Sequence, residues 1–189
     1  MAVTSEEPST PDGTAWQGSS TAVELLRGVL SPCAPGGELR LVAQWLALHE
    51  EGLPAGEHEV LSCVADVDGN LVAVPLRATV RADPGRARSV DAALAQIRED
   101  LAAQGLVDVD SLEVVLDADG THRVLFVPDV EVSPAEAQAS PPHDAVHDGD
   151  HHIAHRAPEL EDLRDRLAEG ARGPLARAWE ALLGLLRGR

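Results

Sequence analysis

Two Asp-Gly pairs, Asp68-Gly69 and Asp119-Gly120, constrain the fold of this chain more than any other sequence feature. Apolar and polar residues alternate on both sides of each pair, as LSCVADV and NLVAVPL around the first and as SLEVVLD and THRVLFV around the second. An Asp-Gly pair between alternating runs favours a tight β-hairpin, because both turn positions need positive φ. The sequence therefore predicts two antiparallel hairpins.

Pairing the strands about each turn predicts which side chains share a face. In the first hairpin one face is apolar, with Leu61, Cys63, Ala65 and Val67 beside Val72, Val74 and Leu76. In the second hairpin a two-residue turn places Leu112, Val114 and Leu116 opposite Val127, Leu125 and Arg123. Each hairpin thus has one largely apolar face that can rest on helices.

Helical periodicity predicts helices before and between the hairpins. The run TAVELLRGVL forms one short helix with Thr21 as its N-cap, and residues 90–101 form the clearest amphipathic one. A further helix is predicted over residues 39–49, where one side carries Leu39, Val42, Trp45, Leu46 and His49. The expected class is α+β, an antiparallel sheet built from two hairpins and covered on one face by helices.

Composition divides the chain into four predicted parts. Residues 1–20 read as a disordered leader and residues 21–132 as the α+β domain. Residues 133–157 are rich in Pro, Ala, Asp and His and predict a disordered linker, and residues 158–189 predict two amphipathic C-terminal helices.

The stretch HDAVHDGDHHIAH, residues 143–155, raises the question of a metal site. His143, His147 and His151 have a spacing that would align imidazoles on a helix, but Pro141, Pro142 and Gly149 argue against a helix there. A flexible spacer does not hold ligands at fixed angles. We therefore expect no specific metal site and no cofactor.

Catalytic signatures are missing from the sequence. It contains no G-x-S-x-G elbow, no Gly-rich phosphate loop and no Cys-His pair in a recognisable context. The two Asp-Gly segments also fail as calcium loops, because the twelfth position is Arg77 in one and Pro128 in the other. We expect a protein that is not an enzyme.

Charge gives the strongest indication of function. The chain has 32 acidic and 15 basic residues, a formal net charge of −17, which disfavours nucleic acid and anionic membranes and favours a basic protein partner. Residues 91–132 contain ten acidic residues and two arginines. Such a region either serves only to keep the surface soluble or forms the surface that binds the partner. The second interpretation, the docking hypothesis, assigns binding to Asp108, Asp110, Glu113, Asp117 and Asp119.

No apolar run is long enough for a membrane span, so a cytoplasmic location is expected.

Over roughly residues 38 to 130 the chain has a predicted helix, the stretch LPAGEHEVLSCVADVDGNL, a second predicted helix and the stretch LEVVLDADGTHRVLF. This order of elements resembles that of the YezG-like immunity proteins of polymorphic toxin systems. The resemblance implies a stoichiometric, non-catalytic inhibitor. Its acidic face would cover the basic surface of a toxin and exclude the substrate.

The sequence leaves two alternative functions open. A secretion chaperone or adaptor would grip its client through the apolar face formed by Leu175, Trp179, Leu182 and Leu186. A small hydrolase or metal-dependent enzyme is the other alternative, although no motif supports it. The sequence determines neither the partner, nor the oligomeric state, nor whether the C-terminal helices dock on the domain.

Overall fold

The computed structural model describes residues 14–16, 20–106 and 109–171 of the chain. Their centre is a six-stranded antiparallel sheet in the order β1-β6-β5-β2-β3-β4. The α+β class and the antiparallel sheet are thus confirmed. The strands are β1 (Thr14–Trp16), β2 (Glu38–Glu50), β3 (Leu53–Val67), β4 (Asn70–Pro75), β5 (Val109–Asp117) and β6 (His122–Pro128). The helices are α1 (Ser20–Leu30), α2 (Arg77–Arg81), α3 (Pro84–Ala103), α4 (Pro134–Ala137) and α5 (Gly149–Ala171).

The helix predicted over residues 39–49 is wrong, because this segment is the central strand β2. It pairs with β3 on one side and with β5 on the other. Both of its faces are buried, with Leu41 and Ala43 on one and Val42 and Leu46 on the other. A strand buried on both faces reads as a continuous apolar run, which periodicity does not distinguish from a buried helix.

The first hairpin has the predicted turn and register. Asp68 and Gly69 connect β3 to β4 with φ of 53° and 84°, as a two-residue turn with two positive φ values requires. Cys63 pairs with Val74 and Ala65 pairs with Val72, so the predicted apolar face is formed.

The second hairpin turns at the predicted place, but its predicted register is wrong by one residue. Leu112 pairs with Phe126 and Val114 with Val124, not with Val127 and Leu125. The turn contains three residues, because the Asp117 N–H donates to the carbonyl of Thr121 over 2.9 Å. Three-residue hairpin loops end in a left-handed residue, here Gly120 with φ of 92°.

One face of the sheet carries the larger core. Helices α1 and α3 pack against it and against each other, and the buried residues of this cluster are all apolar. They include Leu26 and Leu30 from α1, Ile97 and Leu101 from α3, and Phe126 from β6. The amphipathic helix predicted over residues 90–101 thus lies within α3 and buries the predicted side.

The other face of the sheet is also covered, by residues 132–171. The prediction of a disordered linker over residues 133–157 therefore differs from the structure, which shows α4 and the first turns of α5 there. Val132, Ala137 and Val146 are buried beside Leu46 and Val60 in a second, smaller apolar cluster. The apolar residues that make this contact are isolated and irregularly spaced along the chain. Their spacing therefore predicts neither a helix nor a strand.

The remaining predicted parts fall partly outside the described residues. Within the predicted leader, residues 14–16 form β1, which pairs with β6. Of the predicted C-terminal helices, residues 158–171 belong to α5, and residues 172–189 lie outside the described residues. No helix in the described ranges is both long enough and apolar enough to cross a membrane.

Candidate functional site

The buried polar residues of the described chain share one location, the interface between the sheet and residues 132–171. Helix-facing positions in the larger core are apolar, whereas this second interface contains charged and amide side chains. Burial of such groups is costly unless they are paired, so the interface is specified by its hydrogen bonds. The residues are Arg40, Gln44, Ser62, Ser111, Glu113, Asp117 and His152.

Glu113 lies at the centre of this interface and contacts two histidines. Its side chain projects from β5, and Oε1 lies 2.8 Å from Nε2 of His152. Its second oxygen, Oε2, contacts Nδ1 of His147. Burial alone raises the pKa of the Glu113 carboxyl, but the two imidazole hydrogen bonds outweigh burial and hold that pKa well below its ordinary value. Glu113 is therefore an ionised acceptor for both rings.

Gln44 on β2 fixes the chain that carries these histidines. Its Nε2 donates to the carbonyl of Ala145 over 2.8 Å and to the hydroxyl of Ser111 over 3.0 Å. Its Oε1 accepts from the backbone N–H of His147 over 2.9 Å. One buried amide thus holds the backbone on both sides of Val146 against the sheet.

Three imidazoles stack along the outer side of this contact. The ring centroids of His147 and His151 are 4.2 Å apart, and those of His151 and His155 are 4.5 Å apart. Burial, and then the neighbouring imidazoles, lower the pKa of His151 to about 4. The central ring is therefore neutral at neutral pH.

Within the described ranges no three His, Cys, Asp or Glu side chains are arranged to hold a metal ion. The planes of His147 and His151 differ by only 22° and their centroids are 4.2 Å apart, so the in-plane lone pairs of the two rings lie in separate, nearly parallel planes.

A second polar cluster anchors α5 farther along the sheet. Arg40 forms a bidentate pair with Asp117, in which Nε donates to Oδ1 over 2.6 Å and Nη2 to Oδ2 over 3.1 Å. Glu159 of α5 lies 3.5 Å from Nη1 of Arg40 and accepts from Arg123 over 3.1 Å. The charge network thus ties α5 to β2, β5 and β6.

Glu113 and Asp117 do not offer a partner the exposed carboxylates that the docking hypothesis requires, because their relative exposures are only 4% and 7%. Both project onto the second face, which the predicted linker covers. Asp119 lies in the turn between β5 and β6, where it accepts from Thr121 and pairs with Arg166 at 3.1 Å. Asp108 lies outside the described residues. The structure therefore does not bring the five predicted carboxylates together on one surface.

Asp110, the remaining predicted residue, lies at the opposite end of the sheet beside a different set of acids. A depression of about 440 Å³ is lined by Asp110, Asp129, Glu131, His49 and Gly52. The antiparallel order places the end of β2, the start of β5 and the end of β6 at this edge. The exposed Glu50 ends β2 after His49, and the exposed Glu51 lies in the turn that follows. We call this site the acidic depression.

Sequence reasoning missed the β2 side of the acidic depression because it assigned residues 39–49 to a helix. With that segment as a strand, His49 and Gly52 fall beside Asp110 and the acids that follow β6. The backbone N–H of Val130 donates to Asp110 Oδ2 over 3.2 Å, and the N–H of His49 donates to the carbonyl of Val132 over 2.9 Å. These bonds hold the lining segments together.

The other predicted groups add no reactive centre. Cys63 is buried in the larger core, where burial raises the pKa of its thiol to about 12, so it is no nucleophile at neutral pH. The alternative binding face of Leu175, Trp179, Leu182 and Leu186 lies outside the described residues.

The sequence matches no protein-family model and none of the curated proteins.

Proposed function

We propose that this protein is a non-catalytic domain that binds a basic protein through the acidic depression. The observation that carries the proposal is the convergence of Asp110, Asp129 and Glu131 on one concave site whose lining has a single imidazole and no guanidinium group among the described residues. Elsewhere on the described surface, acids such as Asp119 and Glu159 pair with arginines of the same chain.

The lining of the acidic depression supports binding because it is held in place before any partner arrives. Asp110 accepts a backbone hydrogen bond from Val130, and Asp129 has a left-handed backbone with φ of 55°. Carboxylates on a fixed frame lose little conformational freedom on binding. Complementary charge at such a site raises the association rate and discriminates against acidic partners.

A narrower role rests on the resemblance to immunity proteins. The basic partner is then a toxin, and the acidic depression covers its cationic substrate-binding surface. This role needs binding and no turnover, which accords with a domain that offers charge and shape but no activated nucleophile among its described residues.

Charge-neutral variants test the proposal. Asp110→Asn, Asp129→Asn and Glu131→Gln together remove three charges from the acidic depression. Glu161→Gln, Asp165→Asn and Glu169→Gln remove three exposed charges from α5 and serve as the matched control. The probe is an array of arginine- and lysine-rich peptides, followed by titration of the best binder at low salt.

The depression variant is expected to bind about tenfold more weakly, since three exposed ion pairs each contribute roughly 0.5 kcal/mol. The α5 control is expected to change affinity less than about threefold, through the loss of long-range attraction alone. Equal losses in the two variants would refute a defined site and leave only bulk charge.

A further inference from the structure

The contact between the sheet and residues 143–155, which we call the histidine segment, is built from ionisable groups. We propose that the stack of His147, His151 and His155 makes this contact acid-labile, so that the histidine segment leaves the sheet at mildly acidic pH while the rest of the sheet stays folded. The inference concerns a conformational device and does not depend on the proposed binding function.

The stack provides the repulsive element. The ring of His151 lies between two other imidazoles, with centroids 4.2 Å and 4.5 Å away. A proton on His151 therefore meets any charge on either neighbour at close range, and burial limits the water that would screen it. In the released segment the rings separate, so a proton on His151 no longer meets this repulsion.

The groups that face the stack attract a proton on His151 only weakly, because Glu113 raises the pKa of His151 less than burial and the neighbouring imidazoles lower it. From β5 the facing charge is Glu113, which is occupied by His147 and His152. From β2 the facing side chain is the neutral Gln44, and β4 contributes the backbone and methyl group of Ala73 beside Gly149. From its own segment, Asp148 accepts from the backbone N–H of His151. Glu159 lies farther along α5, where it pairs with Arg123. Arg40 and Asp117 pair with each other beside it.

His152 carries a buried polar atom that release exposes to water. Its Nε2 contacts Glu113, while its Nδ1 is buried and has no hydrogen-bond partner among the described residues. A buried ring nitrogen without a partner costs free energy in the closed state, and release gives this nitrogen access to water.

The surface uncovered by release is mixed, because Leu46 and Val60 are buried beside Val146 of the segment while the rest of the contact is polar. Gln44, Ser111 and Glu113 lie beneath the histidine segment and are polar, so their hydration offsets part of the lost contact. The larger core on the opposite face is a cluster of apolar residues, whose packing does not depend on the protonation of histidine. The sheet, α1 and α3 therefore stay folded when the segment leaves.

Hydrogen exchange measured by mass spectrometry on the full chain at pH 7 and pH 5, corrected for intrinsic exchange rates, tests the proposal. The variant is His151→Gln, which removes the titrating ring at a half-exposed position. The matched control is His122→Gln, because His122 is exposed on β6. Peptides covering residues 143–155 report the segment, and peptides covering β2 and β5 report the sheet.

The pKa of free histidine is near 6.5, and that of His151 in the closed state is about 4. Because the open state therefore binds the proton more strongly, acidification favours opening. When the pH falls from 7 to 5, the equilibrium constant for opening of the segment should increase about tenfold more in the wild type than in H151Q. This figure allows for the partial exposure of His151. H122Q should behave like the wild type, and the sheet peptides should keep their protection.

Two results would overturn the proposal. One is an equal pH response of the segment in wild type and H151Q. The other is simultaneous loss of protection in β2 and β5, which would mean that acid unfolds the whole domain. Because each variant is compared with itself at two pH values, a change in basal stability does not imitate either result.

Discussion

The buried pair of Arg40 and Asp117 gives a sharp test of how the second face of the sheet is held together. Arg40 is 2% exposed and Asp117 is 7% exposed, and two hydrogen bonds join them. Asp117→Asn removes the charge and one acceptor but keeps the shape. The Arg40 guanidinium then stays buried with Glu159 at 3.5 Å as its nearest carboxylate.

Removing one member of a buried ion pair costs about 3–5 kcal/mol, because the other charge stays uncompensated. Glu159 offsets part of that penalty, so D117N should lower the free energy of unfolding by about 3 kcal/mol. Arg40→Met should cost a similar amount, since Asp117 is then buried without its cation. The double variant R40M/D117N leaves no buried charge at the pair and should cost less than the two single changes added together, with a coupling of about 2 kcal/mol.

Urea unfolding at pH 7.5, followed by far-UV circular dichroism, measures the four free energies of this cycle. An additive cycle, with coupling below about 0.5 kcal/mol, would refute the view that the two charges compensate each other. A wild-type m-value in all four proteins is needed to show that the denatured state is unchanged.

Two further predictions concern single positions. Glu113→Gln should destabilise the protein by about 2 kcal/mol at pH 7, because two charge-assisted hydrogen bonds weaken. The folded pKa of Glu113 lies below its ordinary value of 4.5, so its contribution to stability is complete above pH 4.5 and is lost progressively as pH falls from there toward the folded pKa. The difference between wild type and E113Q in urea unfolding should thus be smaller at pH 4 than at pH 7, and a constant difference would contradict this assignment. Gly37→Ala should cost about 2 kcal/mol in the same assay, because Gly37 has φ of 82° and a Cβ there would lie 2.3 Å from the carbonyl oxygen of Asp66. The control Gly28→Ala lies in α1, where the new methyl group would meet nothing within 4 Å, and it should be neutral or slightly stabilising.

The parts of the fold that the sequence predicts are those fixed by local rules. The turn at Asp68-Gly69 and the amphipathic side of α3 need only nearby residues, and both agree with the structure. The turn at Asp119-Gly120 is predicted in place, but its three-residue geometry shifts the register, because Gly120 alone supplies the left-handed residue.

The parts that the sequence does not predict depend on contacts between distant segments. Strand β2 is a strand because β3 and β5 lie on either side of it, and nothing in residues 38–50 alone records those neighbours. The histidine segment is held through Gln44 and Glu113, which are 103 and 34 residues away from His147 along the chain. Its composition is typical of a spacer, and only the partners on the sheet reveal the contact.

The central position of β2 also has a consequence for how the chain folds during synthesis. Strand β3 follows β2 directly, whereas β5 begins at Val109, so β2 pairs on one side long before its other partner exists. In that interval the edge of β2 that β5 will pair with stays open, and β2 carries apolar side chains on both surfaces, a combination that favours intermolecular strand pairing. Nascent chains that stop before residue 109 are therefore expected to need chaperone protection, and chains that extend through β6 are expected to need much less.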